Sequence, residues 1–270
     1  TEIIEGELDD IEIEDLIEEH TVVITKSHKG YVKRLPVDTY KQQKRGGKGI
    51  IAATTTEEDF VEDLFVANSH SLLLFFSDNG KVYWKKAYEI PESSRTAKGK
   101  PIVNLLNIDP KDKITAMIPV NEFDEGHFLF MATKEGVVKK TKLKLFSKPR
   151  RGGIIAINLD ESDKLIGVKM TDGVQPILLS TRNGMAIKFS EENVRAIGRA
   201  SRGVKGINLK KNDKVISLAV GGENKTVLTI TENGFGKRTC LEEYRLIGRG
   251  GTGVINIISN DRNGKVVDVK

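Results

Sequence analysis

The run QKRGGKG, Gln43 to Gly49, sets three cations among three glycines. Gly46, Gly47 and Gly49 leave backbone amides unshielded and permit close approach of a bulky partner, and Lys44, Arg45 and Lys48 add charge suited to phosphate oxygens. The chemistry on offer is a grip on phosphate. It is not the grip of a nucleotide-binding P-loop, because the spacing GxxxxGK[ST] is absent and Ile50 follows Gly49, and no GxGxxG follows a βα unit. Loops of this composition also serve as solvated turns between strands, so the reading depends on the elements that hold it.

Those elements repeat. An apolar run, a Thr or Ser, a tight turn ending in Gly and a second run finishing on cations occur as VVITKSHKGYVKR (Val22 to Arg34), LLLFFSDNGKVYW (Leu72 to Trp84), FLFMATKEGVVKK (Phe128 to Lys140), ILLSTRNGMAIK (Ile177 to Lys188) and VLTITENGFGKR (Val227 to Arg238). Each reads as a β-hairpin whose turn glycine, Gly30, Gly80, Gly136, Gly184 or Gly234, takes a positive φ at no steric cost. Fifteen residues beyond each of them stands an arginine: Arg45, Arg95, Arg151, Arg199 and Arg249. A glycine follows four residues later in four copies (Gly49, Gly99, Gly203, Gly253), and the third copy, PRRGGI, is shorter by two loop residues.

After every loop a short apolar strand is expected (Ile50 to Ala52, Ile102 to Leu106, Ile154 to Leu159, Val204 to Leu209, Val254 to Ile258), then a fourth (Val61 to Val66, Lys113 to Ile118, Lys164 to Met170, Lys214 to Val220, Lys265 to Val269). Four strands per repeat, with no sustained helical period, predict an all-β, propeller-like fold of about five four-stranded blades. Ile11 to Ile17 is expected as a strand too, with one terminal strand completing a blade begun at the other end and so closing a ring. Residues 1–10 are expected to form an acidic linker or arm and 11–270 a single domain.

Repetition turns the single loop into a series. Equivalent loops offer Arg95, Lys98 and Lys100; Arg150 and Arg151; Arg199, Arg202 and Lys205; and Arg249. The second hairpin strands end on Lys33 and Arg34, Lys139 and Lys140, Lys188, and Lys237 and Arg238, with Trp84 in the second copy. Presented at equivalent points, these cations form a basic belt that suits double-stranded DNA. Phosphate contacts carry no base information, so the binding they predict is sequence-independent.

Composition agrees. Ten of the 38 acids lie in the first 19 residues, which hold no Lys or Arg, so the remainder carries 28 acids against 43 bases. Such a body favours polyanions, although a Lys- and Glu-rich thermostable surface has the same composition. The longest apolar run, Leu72 to Phe76, is far short of the ~20 residues of a membrane span, and no signal-peptide pattern opens the chain, which points to the cytoplasm. Cys240 is the single cysteine, and no Cys/His cluster has metal-ligand spacing. His20, His28, His70 and His127 have no recurrent acid or nucleophile beside them, so neither catalysis nor a bound cofactor is expected, and Trp84 reads as packing. A WD40-like protein-interaction propeller is the alternative of another class, but no WD dipeptide occurs and such a platform has no need of a cation in every copy.

At Gln43–Gly49 the chain resembles, position by position, the signature box of the gyrase A C-terminal domain family, and the hairpin before it, EDLIEEHTVVITKSHKGYVKR, resembles that family's first blade. The resemblance implies a β-pinwheel that wraps DNA around a basic edge, with Lys44, Arg45 and Lys48 anchoring the wrap. It further implies the rest of the gyrase A protein and the gyrase B protein as partners, a monomeric isolated domain, and strand cleavage, ATP and Mg2+ outside this chain. Five hairpins depart from the family's usual six blades. The related topoisomerase IV domains have fewer or degenerate blades and lack an intact box.

Overall fold

A computed structural model describes residues 13–39, 59–106, 108–222 and 224–270. The box Gln43–Gly49 and the strand expected at Ile50 to Ala52 lie outside the described residues. All five hairpins form: Thr21–Ser27 with Tyr31–Pro36, Leu72–Ser77 with Lys81–Lys86, Phe128–Thr133 with Val137–Lys142, Pro176–Thr181 with Met185–Ser190, and Thr226–Thr231 with Gly236–Cys240. The turn glycines have φ of +81°, +83°, +83°, +86° and +78°, the left-handed backbone that selected glycine there. In the second, third and fourth hairpins the first strand is buried at five consecutive positions. Both faces of these strands are covered, which is why they read as unbroken apolar runs rather than alternating ones.

Each of the first four hairpins is flanked by two further strands of different origin, and the fifth by one among the described residues. The long one belongs to its own repeat: Val61–Asn68, Ile114–Val120, Leu165–Thr171, Val215–Val220 and Val266–Val269 pair with the first strands of hairpins one to five. The short one comes from the following repeat. Lys100–Pro101, Ile154–Ile155, Val204–Lys205 and Val254–Ile255, each arriving from an arginine loop, pair with the second strand of the hairpin before their own. Four sheets therefore have four strands, and the fifth has three among the described residues. This is an all-β fold of the β-propeller class in which neighbouring blades exchange a strand.

Several expectations change. The four described post-loop strands are two residues long, because the chain then bends over the preceding turn: Ala156 and Ile157 both donate to the Gly80 carbonyl at 2.8 and 3.2 Å, and Asn256 and Ile257 to that of Gly184 at 2.8 and 3.1 Å. Ile102–Leu105, expected as strand, is one helical turn. Neither terminal segment completes a distant blade among the described residues. Ile13–Leu16 is a 3-10 turn, and Val266–Val269 pairs within its own repeat. The two-residue deletion in the third loop is absorbed without loss of the closing glycine, since Gly153 takes the place held elsewhere by Gly99, Gly203 and Gly253, with φ of +71°, +90°, +99° and +75°.

The chain divides into two compact units, Thr1–Leu73 with Lys85–Leu106 and Leu74–Trp84 with Asn107–Lys270. The first contains the sheet of repeat one. In the second, blade faces meet through apolar side chains. Phe130 and Val138 of repeat three pack with Ile177, Leu179, Ile187 and Phe189 of repeat four, and Leu178 and Ala186 of repeat four with Val227, Leu241, Tyr244 and Val266 of repeat five. At ~1.5–3 kcal/mol for each large apolar side chain removed from water, these inter-blade layers contribute strongly to the stability of the second unit.

The closing glycines leave no room for a side chain. A Cβ on Gly203 would lie 2.5 Å from the Val138 carbonyl oxygen, and one on Gly253 2.2 Å from that of Ala186. Gly203→Ala is expected to destabilise the chain by about 1–3 kcal/mol through clash and positive φ together, read as a lowered midpoint in urea denaturation.

Candidate nucleic-acid interface

The structure sorts the predicted cations into two groups. The hairpin cations point inward. Lys33, Lys139 and Lys140 are 2%, 0% and 7% exposed, which removes their ammonium groups from the surface a phosphate could reach. Burying an ammonium requires acceptors, and backbone carbonyls in and after the arginine loops supply them. Lys33 Nζ donates to the carbonyls of Ser94, Arg95 and Ala97, the last at 2.9 Å. Lys139 Nζ donates to those of Ala156, at 2.7 Å, and Arg199.

One position further along, the pattern has no exception in the first four repeats. Arg34 Nε donates to Ile90 O at 3.2 Å, Trp84 Nε1 to Phe146 O at 2.9 Å, Lys140 Nζ to Glu191 O at 3.0 Å and Lys188 Nζ to Leu241 O at 2.7 Å. Every acceptor lies in, or caps, the 3-10 turn after the next hairpin. Trp84, read as packing, is thus one link in a series of side-chain clasps, and Arg34 adds an ion pair to Glu92 at 3.3 Å. The expectation that Lys33, Arg34, Lys139, Lys140 and Lys188 meet DNA gives way to this internal role. In the fifth repeat Lys237 and Arg238 are exposed.

The loop cations form the second group. Lys98, Lys100, Arg150, Arg151, Arg202, Lys205 and Arg249 are exposed, and Arg95 and Arg199 half-buried. In the second unit the loops join in series. Asn158 donates to Ser201 O from its amide at 3.1 Å and to Ala200 O from Nδ2 at 3.0 Å, and Asn208 N donates to Gly251 O at 2.8 Å. Guanidinium groups of successive repeats are thereby held along one connected surface. Arg202 pairs with Asp160 at 3.0 Å, but both are largely exposed, so solvent screens the pair and a phosphate can displace the carboxylate at little cost. Arg249 is engaged, donating from Nε to Asn193 O at 2.9 Å and from Nη1 to Lys205 O at 3.1 Å. Lys98 Nζ sits 3.9 Å above the Tyr31 ring.

Sequence reasoning passed over Arg195 and Arg245, which are exposed beside these loops. Both stand eleven residues after a turn glycine, as does Lys41 in the first repeat, so the same count that found the loop arginines finds them. The histidines make local contacts: His127 Nδ1 lies 2.6 Å from Asp124 Oδ2, His70 Nε2 2.8 Å from Ile17 O, and His28 stacks on Phe60 at 4.8 Å. Among the described residues no acidic, His and Cys group is disposed to hold a metal ion, and no helix is long and apolar enough to cross a membrane.

Burial and the nearby Arg199 charge lower the Lys139 pKa from 10.5 to about 8, and burial likewise lowers those of Lys33 and Lys188. Between about 8 and 10.5 the unfolded chain binds the Lys139 proton more tightly than the folded one, so this group's contribution to stability rises with pH across that window. The parent's thermal midpoint should therefore gain on that of Lys139→Ile as pH is raised through the window, measured by paired melts.

The chain matches the sequence pattern of a family described as DNA gyrase C-terminal domain, beta-propeller, over residues 22–68, 71–121, 127–172, 175–221 and 225–270, one segment for each repeat found above. It is 54% identical to the DNA gyrase A protein of Halalkalibacterium halodurans over 73% of this chain and 24% of that protein, and 52% identical to that of Salmonella typhimurium over 73% and 22%. It spans about a quarter of the length of these relatives. Among solved structures it is similar to the C-terminal domain of a DNA topoisomerase IV (TM-score 0.77, 28% identity, 94% of this chain and 78% of that one) and to a DNA gyrase A C-terminal domain (TM-score 0.75, 27% identity, 93% and 82%).

Proposed function

Since this chain belongs to the DNA gyrase C-terminal domain family of β-propellers, we propose that it binds duplex DNA without regard to sequence, bends it along its arginine loops, and presents a DNA segment to the strand-passage core of a gyrase. The observation that carries this is the linked series of exposed loop cations, Arg150 and Arg151, Arg202 and Lys205, on adjoining repeats of one unit. Cations at repeated intervals suit a phosphate backbone, which offers charge at regular spacing, and the described arginine loops contain no helix to enter a major groove. Gln43, Lys44, Arg45, Gly46, Gly47, Lys48 and Gly49 stand in sequence where the later repeats have their arginine loops, and their charges add the strongest phosphate grip of the series, fixing where the wrap is held.

Alone, the chain turns over no substrate. It guides DNA, and ATP, Mg2+ and the cleavage chemistry belong to the rest of the gyrase A protein and to the gyrase B protein, its partners in the cytoplasm. The topoisomerase IV likeness supports a second reading, in which the domain guides relaxation and decatenation. The intact QKRGGKG run favours the gyrase reading.

Bending duplex sharply costs several kcal/mol, which only many simultaneous phosphate contacts can offset. With about eight contacts, affinity for random-sequence duplex should fall by roughly a thousandfold or more between about 50 and 200 mM salt, and a flat dependence would end the proposal. Replacing Arg150, Arg151 and Arg202 together by Gln should lower the slope of log affinity against log salt by about 2.7, at ~0.9 for each lost contact. Nicked circular DNA sealed in the presence of the chain should show a one-directional shift in linking number. Neutralising Lys44, Arg45 and Lys48 together is expected to abolish that shift without lowering the thermal midpoint. A parent chain that binds but leaves linking number unchanged would favour the topoisomerase IV-like role.

A further inference from the structure

Three residues after the turn glycine, the five repeats carry Lys33, Tyr83, Lys139, Ile187 and Lys237. Tyr83 and Ile187 are 4% and 1% exposed, as deeply placed as the lysines of repeats one and three, so packing of the hairpin does not require a cation here. What the lysine adds is a donor for loop carbonyls. Lys139 takes the Arg199 carbonyl and Lys33 the Arg95 carbonyl, and the guanidinium groups of Arg199 and Arg95 form no hydrogen bond or ion pair among the described residues.

Where isoleucine replaces lysine, the next loop is held differently. After Ile187 the loop arginine, Arg249, turns its own guanidinium onto the carbonyls of Asn193 and Lys205, which stand on either side of the loop before it. After Tyr83 the loop is two residues shorter, and Gly153 lies directly on the Tyr83 ring, with a Cβ there only 2.6 Å from a ring carbon. Each described loop of full length thus has one cationic tether. Either the buried lysine supplies it, or the arginine does and is spent.

We propose that the buried lysine is the positioning residue for the arginine of the following loop: Lys139 tethers the loop by its backbone and so releases the Arg199 guanidinium to phosphate, whereas Arg249 is a tether. This rests on the DNA-binding reading for its consequence, but not for its geometry. Isoleucine at the equivalent place in repeat four makes Lys139→Ile the variant that the fold itself already accommodates.

Two measurements test it on the whole chain. Without DNA, labelling by an arginine-selective dicarbonyl, read by peptide mass spectrometry, should find Arg199 reactive and Arg249 slow in the parent. In Lys139→Ile the Arg199 labelling should drop severalfold as its guanidinium takes up the tether. In Ile187→Lys the Arg249 labelling should rise. With random-sequence duplex, Arg199→Gln and Lys139→Ile should each lower the salt slope by about 0.9, and the double variant by no more than either alone. Unchanged Arg199 labelling in folded Lys139→Ile, or additive slope losses in the double variant, would overturn the proposal. Should Lys139→Ile fail to fold, Ile187→Lys decides, with unchanged Arg249 labelling counting against the tether. A parent with no salt-dependent affinity would defeat the DNA reading, and the labelling pattern would still decide whether lysine and arginine exchange roles.

Discussion

A side-chain donor on the second strand of one hairpin, seated on a carbonyl of the turn after the next, is the interaction on which the other features of this fold depend. Blades of this size do not bury their apolar faces alone; they need a neighbour at a set angle and height. Dispersion and hydrophobic contact supply the energy of that stacking but tolerate sliding, whereas a hydrogen bond to one carbonyl does not. Arg34, Trp84, Lys140 and Lys188 each impose that constraint with different chemistry, guanidinium, indole or ammonium, at one structural position. The common requirement is a long side chain ending in an N–H.

The same constraint determines which charges reach solvent. Cations drawn inward onto carbonyls cost desolvation but hold the strand exchange, and the loops they hold then project their own cations outward. Buried and exposed basic residues are consequently parts of one arrangement. For a long, stiff polyanion, spacing between contacts matters as much as their number, because a contact out of step with the phosphates has to be met by further bending. Asn158 and Asn208, uncharged and unremarkable in sequence, set that spacing in the second unit by joining the third loop to the fourth and the fourth to the fifth.

Much of the blade was legible beforehand. The five hairpins follow from apolar runs around a turn that requires positive φ, and the loop arginines from a fixed count after that glycine. Both are local properties, set within a few residues. Legibility failed where the partner was remote. Lys139 and Arg151 are both basic and both lie in a repeat position, yet one is 0% exposed and the other faces solvent, and nothing within either segment distinguishes them. The length of Val204–Lys205 was likewise misjudged, because the carbonyl of Gly136 that bends the chain there lies 68 residues or more away in sequence.

The residue order by itself therefore determined the repeat, the hairpins, the excess of positive charge in the body and the phosphate-suited chemistry of QKRGGKG, since each is a matter of composition and short-range backbone geometry. Only the tertiary structure decided that the four described post-loop strands join the preceding blade, and that Lys33, Lys139 and Lys140 are internal clasps while Arg150, Arg151 and Arg202 are available to a ligand. The reason is physical. A lysine's charge is the same in either setting, and whether it meets a carbonyl or water is decided by the neighbouring repeat that folds over it.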